Sequence, residues 1–313
     1  METHALVTLE NILHAALSAP PTEVRRLFHG RGRCYEGLEQ LTVDWLQGQV
    51  LVCLFKEPSE EFLTELQALL ARWTETDVWQ KSGATSLLLQ HRAREGVPME
   101  LMWGIHNEQQ DVTESGLKYR LDLGGKQNNG LFFDMRLGRD WVREQAGQKR
   151  VLNLFSYTCG FSVAAIAGGA DHVVNLDMAK AALNRGRENH RLNDHDLKKV
   201  TFMGHDLFKS WGKVRKYGPY DLVIIDPPSF QKGSFALTKD YQKILRRLPE
   251  LLTESGQVLA CVNDPAVTSQ FLIEGMAEEA PEVTFDYRLD NPPEFPDIDP
   301  EGGLKALVFS RKA

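Results

Sequence analysis

The sequence predicts a doubly wound, seven-stranded α/β sheet of Rossmann-like layout, preceded by a smaller N-terminal α+β domain. Three observations carry that prediction. Short apolar runs recur through the second half of the chain as buried strands do, at 151–155, 172–176, 199–203, 221–225, 257–262, 283–287 and 305–310. Segments of helical character separate them, notably 179–192 and 239–252. The first strand leads through a turn of small residues and a helix to a second strand ending on Asp177, the order of a nucleotide-binding unit.

The details of that unit are informative. Arg150-Val151-Leu152-Asn153-Leu154-Phe155 reads as a buried strand, 156–162 as the turn, and 163–167 as an Ala-rich helix broken at Gly168-Gly169. Asp177 lies 24 positions after Asn153, near the spacing at which a carboxylate meets a ribose diol. Only Gly160 stands where a dinucleotide fingerprint places several glycines, so nothing here demands a pyrophosphate cradle. The turn suits a nucleoside without phosphates, such as S-adenosylmethionine, and it also suits a plain α/β core turn. The third strand ends at Gly204-His205-Asp206, which sets Asp206 near an adenine edge, with Leu207 beside it. The fourth ends in Asp226-Pro227-Pro228-Ser229-Phe230. Two prolines lack the donors a central strand needs, so they make a stiff loop at the carboxyl end of the sheet, where open α/β folds bind ligands. Asp226 is there either a loop cap or a carboxylate that orients a polar acceptor.

At these residues the chain resembles a family. Asn153-Leu154-Phe155-Ser156-Tyr157-Thr158-Cys159-Gly160-Phe161-Ser162, Asp177-Met178 and Asp226-Pro227-Pro228-Ser229-Phe230 look like class I S-adenosylmethionine-dependent methyltransferases. Across roughly 115–313 they are similar to bacterial enzymes that methylate bases of large-subunit ribosomal RNA. Two relatives are the cytosine carbon-5 enzymes, which carry an RNA-binding PUA domain, and the guanine nitrogen-7 half of a bifunctional enzyme. The resemblance implies S-adenosylmethionine as cofactor. Asn153, Phe155, Ser156, Tyr157, Thr158 and Gly160 then hold it from the turn, with Asp177, Met178, Asp206, Leu207 and Asp226 from the later strand ends. It also implies a ribosomal RNA substrate, whose base is held by Asp226 and the Pro227 carbonyl with Phe230 on its face. In the relatives the segment 129–136 lies over the cofactor, which gives Phe133 a stacking role and Arg136 a reach to the cofactor carboxylate or a phosphate. By its residues alone, that segment is a strand-to-helix turn with a helix-start acid at Asp134. Met135 stands where the relatives often carry His or Gln.

Cysteine chemistry bears on the acceptor atom. Carbon-5 of cytosine is a poor nucleophile, so its enzymes first add a thiolate to the ring, from a cysteine just beyond the fifth strand. Here Cys261 falls too early, inside the apolar run, and the matching position is near Asp264. Cys159 and Cys261 read as packing residues. A nitrogen acceptor needs no thiolate and is therefore the expectation, with a protein or small molecule as the alternative substrate.

Composition bounds the rest. A chain of 313 residues accommodates two domains, placed at 1–111 and 112–313. A net charge of −7 does not announce nucleic-acid binding, so any RNA contact has to come from a local patch. Four cysteines with no C-x-x-C pair argue against a zinc site and fit a cytoplasmic protein. No run approaches a membrane span and no signal peptide is evident, so no membrane partner is expected; a homodimer is admitted.

In the front domain, 9–17 has helical spacing, and Thr22 reads as the cap of a short helix carrying Arg25 and Arg26. Arg31, Arg33 and Tyr35 form either a solvated turn or a phosphate contact with a stacking aromatic. Strands are expected at 41–46 and 49–55, turning at Gln47-Gly48, and at 77–81 and 86–90; a helix spans 59–73. The stretch 91–110 reads as a linker with a short strand at 100–103, 117–123 as an edge strand, and 137–145 as a helix. The loop 290–303 carries four prolines with Asp290, Glu294, Asp297, Asp299 and Glu301. Either it borders the substrate mouth, where it repels a phosphate backbone, or it is solvated elsewhere.

Overall fold

The computed structural model describes residues 1–231 and 235–312, which divide into two units. One comprises Met1–Phe133 with Pro292–Asp299, the other Asp134–Asn291 with Pro300–Ala313.

The first unit begins with α1 (Leu6–Ser18), whose Leu6, Leu9, Leu13 and Leu17 recur at helical spacing and are all buried. Then come β1 (Arg25–His29), β2 (Leu41–Leu46) and β3 (Gln49–Leu54). The β2–β3 hairpin turns at Gln47 and Gly48, both at positive φ, as its sequence foretold. Helix α2 (Glu60–Thr74) is capped by Ser59 and α3 (Asp77–Lys81) by Thr76; β4 (Ser86–His91) and β5 (Met99–Gly104) complete a sheet in the order β1-β2-β3-β4-β5. Alternate residues of the strands, among them Phe28, Val43, Val50, Val52, Leu54, Leu87 and Leu89, join the helices in one apolar core. The intervening residues Asp44, Cys53 and Gln90 alternate onto the opposite face. Strands β6 (Gln109–Glu114) and β7 (Leu117–Asp122) form a separate antiparallel ribbon.

Three expectations are corrected here. Arg25 and Arg26 lie in β1, not in a capped helix, because Arg26 sits directly opposite Asp44 on β2 and binds both its oxygens, at 2.6 and 3.2 Å. Residues 77–81 are helical, not a strand: the Thr76 hydroxyl accepts from the Trp79 N–H at 3.2 Å, and the Trp79 ring is buried edge-on to Trp73. Gln109 and Gln110, read as linker, belong to β6, whose polar sequence has no alternation to announce it. Arg26 and Asp44 are only 13% and 5% exposed, so each charge depends on the other. We predict that Asp44→Ala lowers stability by about 3–5 kcal/mol in urea denaturation, and that Arg26→Met with Asp44→Leu recovers most of it.

Among the described residues the second unit runs α4 (Arg136–Gln145), β8 (Arg150–Leu154), α5 (Gly160–Ala167), β9 (His172–Leu176), α6 (Lys180–Leu192) and β10 (Val200–Met203). It continues with α7 (Trp211–Lys216), β11 (Tyr220–Ile225), the short β12 (Phe230–Gln231) and β13 (Phe235–Ala236), α8 (Leu237–Leu245) and α9 (Leu248–Leu251). Last come β14 (Leu252–Val262), α10 (Ser269–Glu279), β15 (Val283–Leu289) and β16 (Lys305–Arg311). The expected helix over 239–252 is broken: Pro249 cannot donate to a continuing helix, and Leu252 already begins β14.

The main sheet has the order β10-β9-β8-β11-β14-β16-β15. Strands β10 through β14 are parallel, and β16 runs antiparallel between β14 and β15. Successive residues of the central strands alternate between two cores. Leu152, Leu154, Val223 and Ile225 pack with α8 and α10 residues such as Tyr241, Ile244 and Leu272. Val151, Leu222 and Ile224 pack with α4 and α5 residues such as Trp141, Val142 and Phe161. Both faces are covered, which is why these strands read as continuous apolar runs. The strand order reverses between β8 and β11, the switch point at which such sheets open a crevice.

Candidate active site

Strand register builds the site. Leu154 pairs with Leu176 and with Ile225, Leu176 with Met203, and Ile225 with Ala260. The next residue of each strand or its following loop therefore lies in one row across the carboxyl edge: Phe155, Asp177, Gly204, Asp226 and Cys261.

The turn after β8 is left-handed at alternate residues. Phe155, Tyr157 and Cys159 have φ of 55°, 48° and 64°, each costing on the order of 1 kcal/mol for a side-chain-bearing residue. Its neighbours hold it there. The Ser156 N–H donates to the Leu176 carbonyl at 3.1 Å, and the Tyr157 N–H to Asp177 Oδ2 at 2.8 Å. Asp177 Oδ1 accepts from the Ala179 N–H at 2.8 Å, so one carboxylate ties the turn to the end of β9. On the other side Asn189 Nδ2 donates to the Thr158 carbonyl at 3.0 Å. Gly186 lets α6 close on the turn, for a Cβ there would stand 2.4 Å from Cys159 Sγ.

The expected cofactor residues fall into distinct settings. Ser156 and Thr158 are buried in the turn, Tyr157 and Gly160 are half-buried, and Phe155 packs on the core under β8. Asp177 is half-buried and Met178 beside it is 44% exposed, a bare apolar side chain at the strand end. Asp206 caps the next turn by accepting from the Phe208 N–H at 3.0 Å, and Leu207 is buried beneath it. Asn153 is buried within the sheet, where its Nδ2 donates to Asn175 Oδ1 at 2.9 Å. Arg136 opens α4, and Phe133 is buried at the end of the first unit. Pro227 is buried, while the Phe230 side chain lies outside the described residues.

Asp226 is the electrostatic focus. Burial, then the neighbouring Asp134 carboxylate, push its carboxyl from 3.8 up to about 7, against the pull of Arg139. Asn263, just past β14, donates to Asp134 Oδ2 at 3.2 Å. Below them the buried Tyr241 hydroxyl is shared between the carbonyls of Ile225 at 3.3 Å and Cys261 at 3.1 Å, bracing the ends of β11 and β14. Burial with the nearby Asp226 and Asp134 drives the Cys261 thiol far above its usual range, and burial pushes Cys159 up to about 12. Neither is a nucleophile.

Gly186, Asn189, Tyr241, Asn263 and the electrostatic role of Asp134 escaped the sequence reading. One signal was present: a glycine inside an otherwise good helix costs about 1 kcal/mol unless something needs the space.

The Asp226 shift makes stability depend on pH. The folded chain keeps this proton up to about pH 7, whereas the unfolded chain releases it near 3.8. Stability therefore falls as pH rises through that window and stays reduced above it. Asp226→Asn should match the parent protein below pH 4 and exceed it at pH 8 by on the order of 1–3 kcal/mol, allowing for partial exposure. Denaturant curves at the two pH values check this; equal differences at both would refute it.

Comparison with known proteins agrees with this architecture. Residues 25–310 match a family described as S-adenosylmethionine-dependent methyltransferase. The chain is 32% identical over 264 residues to ribosomal RNA large subunit methyltransferase I of Aeromonas salmonicida, covering 80% of this chain and 65% of that one. It thus spans under two thirds of that relative's length, and 57% of the corresponding protein of Aliivibrio fischeri, at 30% identity over 72% of this chain. A crystal structure of SMU.776, a putative methyltransferase complexed with SAH, superposes with a TM-score of 0.81 at 26% identity, covering 98% of this chain and 79% of that one. With the reversal of strand order and the row of strand-end residues in place, the chain belongs to the S-adenosylmethionine-dependent methyltransferase family.

Proposed function

We propose that this chain is a cytoplasmic enzyme that methylates a base nitrogen of large-subunit ribosomal RNA. The observation that carries the reading is Asp226, a carboxyl with proton affinity near neutrality, held on a two-proline loop at the switch point of the sheet. S-adenosylmethionine supplies a methyl group on a sulfonium that brings its own leaving group. The residues present fit that group. Both Asp177 oxygens are oriented by backbone N–H groups and keep lone pairs for a ribose diol. Met178 offers an apolar platform for adenine, and Asp206 an acceptor for its amino group. Phe155, Ser156, Tyr157, Thr158 and Gly160 contact the rest, Asn153 supports them from below, and Arg136 serves an anionic end.

The acceptor is held by Asp226 and the Pro227 carbonyl. A carboxyl titrating near neutrality can accept a hydrogen bond from a base amino group or take up a proton that methylation of an exocyclic amine releases. Proximity and orientation do most of the remaining work. A nitrogen acceptor is favoured because neither Cys159 nor Cys261 has an accessible thiolate. In this reading residues 1–111 contribute substrate contacts and 112–313 the transfer chemistry.

Two outcomes are expected. Gly186→Ala should weaken S-adenosylmethionine binding about tenfold, roughly 1.4 kcal/mol, in calorimetry, and Cys159→Gly added to it should restore affinity by clearing the clash. Labelled methyl offered to ribosomal RNA from cells lacking this protein should enter RNA, and Asp226→Ala should abolish transfer by 100-fold or so. Nuclease digestion should then place label on a base nitrogen. Label on carbon-5 of cytosine would overturn the assigned acceptor, and label confined to protein or metabolites would overturn the RNA substrate.

A further inference from the structure

The first unit carries a cluster of arginines that the reading of the strand-end site does not use. The turn Gly30–Gly32 after β1 is clamped by backbone on both sides: a Cβ on Gly30 would stand 1.9 Å from the Leu38 carbonyl oxygen, and one on Gly32 1.7 Å from that of Pro296. Arg31 is thereby fixed in place between them. Its guanidinium lies 4.6 Å from the centroid of the Phe55 ring, and that of Arg92 lies 4.7 Å from the same ring. The parallel register of β3 and β4, which pairs Leu54 with His91, brings Phe55 and Arg92 side by side.

The other arginines of β1 and the turn after it are neutralised. Arg26 is paired with Asp44, Arg25 with Glu294 at 3.2 Å, and Arg33 with Asp297 at 3.5 Å. His29 is held neutral, its value pushed down to about 3 by burial and by Arg26 and Arg31. Arg31 and Arg92 have neutral partners instead: Gln40 for Arg31, and for Arg92 the Gln127 carbonyl and Asn128 Oδ1, the last at 3.4 Å. Among the described residues no carboxylate pairs with either, and Arg92 Nε is buried without a hydrogen-bond partner. Two guanidiniums on one ring repel each other, and burial with the Arg92 charge lowers the proton affinity of Arg31. An anion within reach of these guanidiniums offsets that repulsion.

We propose that Arg31 and Arg92, set on Phe55, bind a phosphodiester of the RNA substrate. The inference rests on RNA being that substrate, and it adds a backbone-positioning site on the first unit, distinct in sequence from the strand-end residues.

The test compares the parent protein with Arg31→Gln and Arg92→Gln, using large-subunit ribosomal RNA from cells lacking the protein. Binding is measured from low to moderate salt, with KM and kcat for methyl transfer. Each variant should flatten the log–log salt dependence by about one phosphate contact and raise KM for RNA roughly tenfold. Both kcat and calorimetric affinity for S-adenosylmethionine should hold. Arg31 is solvent-exposed, so Arg31→Gln is decisive by itself if Arg92→Gln melts early. Salt-dependent RNA binding by the parent that Arg31→Gln leaves unchanged would overturn the phosphate site while sparing the RNA reading. A parent protein without salt-dependent RNA binding would sink both.

Discussion

The strand-end site depends on the grip of Asp177 and α6 on the left-handed turn after β8. Three side-chain-bearing residues in positive φ are tolerable only where the surroundings over-determine them. Asp177 does so from one side with its carboxylate, and α6 from the other through Asn189 and the space left by Gly186. Beneath the turn runs a buried polar chain: Asn153 donates to Asn175, Asn175 to Ser162 Oγ at 2.9 Å, and Ser162 meets His190 Nε2 at 2.8 Å. A neutral His190 ring donates through one nitrogen and accepts through the other, so it links Ser162 Oγ to His195 Nδ1, which lies 2.9 Å from His190 Nδ1. Burial, with His195, keeps His190 neutral by lowering it to about 3, as that arrangement requires. A satisfied chain of this sort fixes α5 and α6 against β8 and β9 in one geometry.

The same edge concentrates charge that the fold keeps poorly solvated. Asp226 and Asp134 share a neighbourhood with Arg139, itself 5% exposed, so the acids are partly balanced and the burden falls on Asp226. Its raised proton affinity comes first from burial, which costs the fold stability above neutrality. In the function proposed above, a sulfonium set beside Asp226 would bring positive charge to such a place and favour the carboxylate.

How much of this was legible follows from what each residue needs. Strands of the main sheet show in the sequence because both faces are buried, and Gln47-Gly48 because a tight hairpin demands positive φ. Asp177 and Asp226 stand out in the sequence because they follow apolar strand runs, and in this architecture ligands gather at strand ends. Arg26 in β1 and Trp79 in α3 were misread because their states are set by partners distant in sequence or by a cap, Asp44 in one case and Thr76 in the other. Tyr241 and Asn263 were missed for a related reason. Tyr241 sits at an ordinary core position of α8, and only the convergence of β11 and β14 gives its hydroxyl two carbonyls to bridge.

Charge shows most clearly why composition misleads. A net charge of −7 and an acidic loop near the end of the chain argue against a polyanionic substrate. Yet Glu294 and Asp297 meet Arg25 and Arg33, and Phe295 packs under the Arg26 guanidinium at 4.7 Å, so part of that loop cancels basic residues of the front segment. Glu301, further on, is bound by Ser269 and Arg288. What matters for a phosphate is the local surplus after such pairing. Tyr35, which looked available for stacking, packs on Phe28 at 4.9 Å, whereas Arg31 acquires Arg92 as a neighbour from far along the chain. The acids thus quench the arginines around one position and leave its charge to act alone with its partner, which sharpens a phosphate site rather than abolishing it.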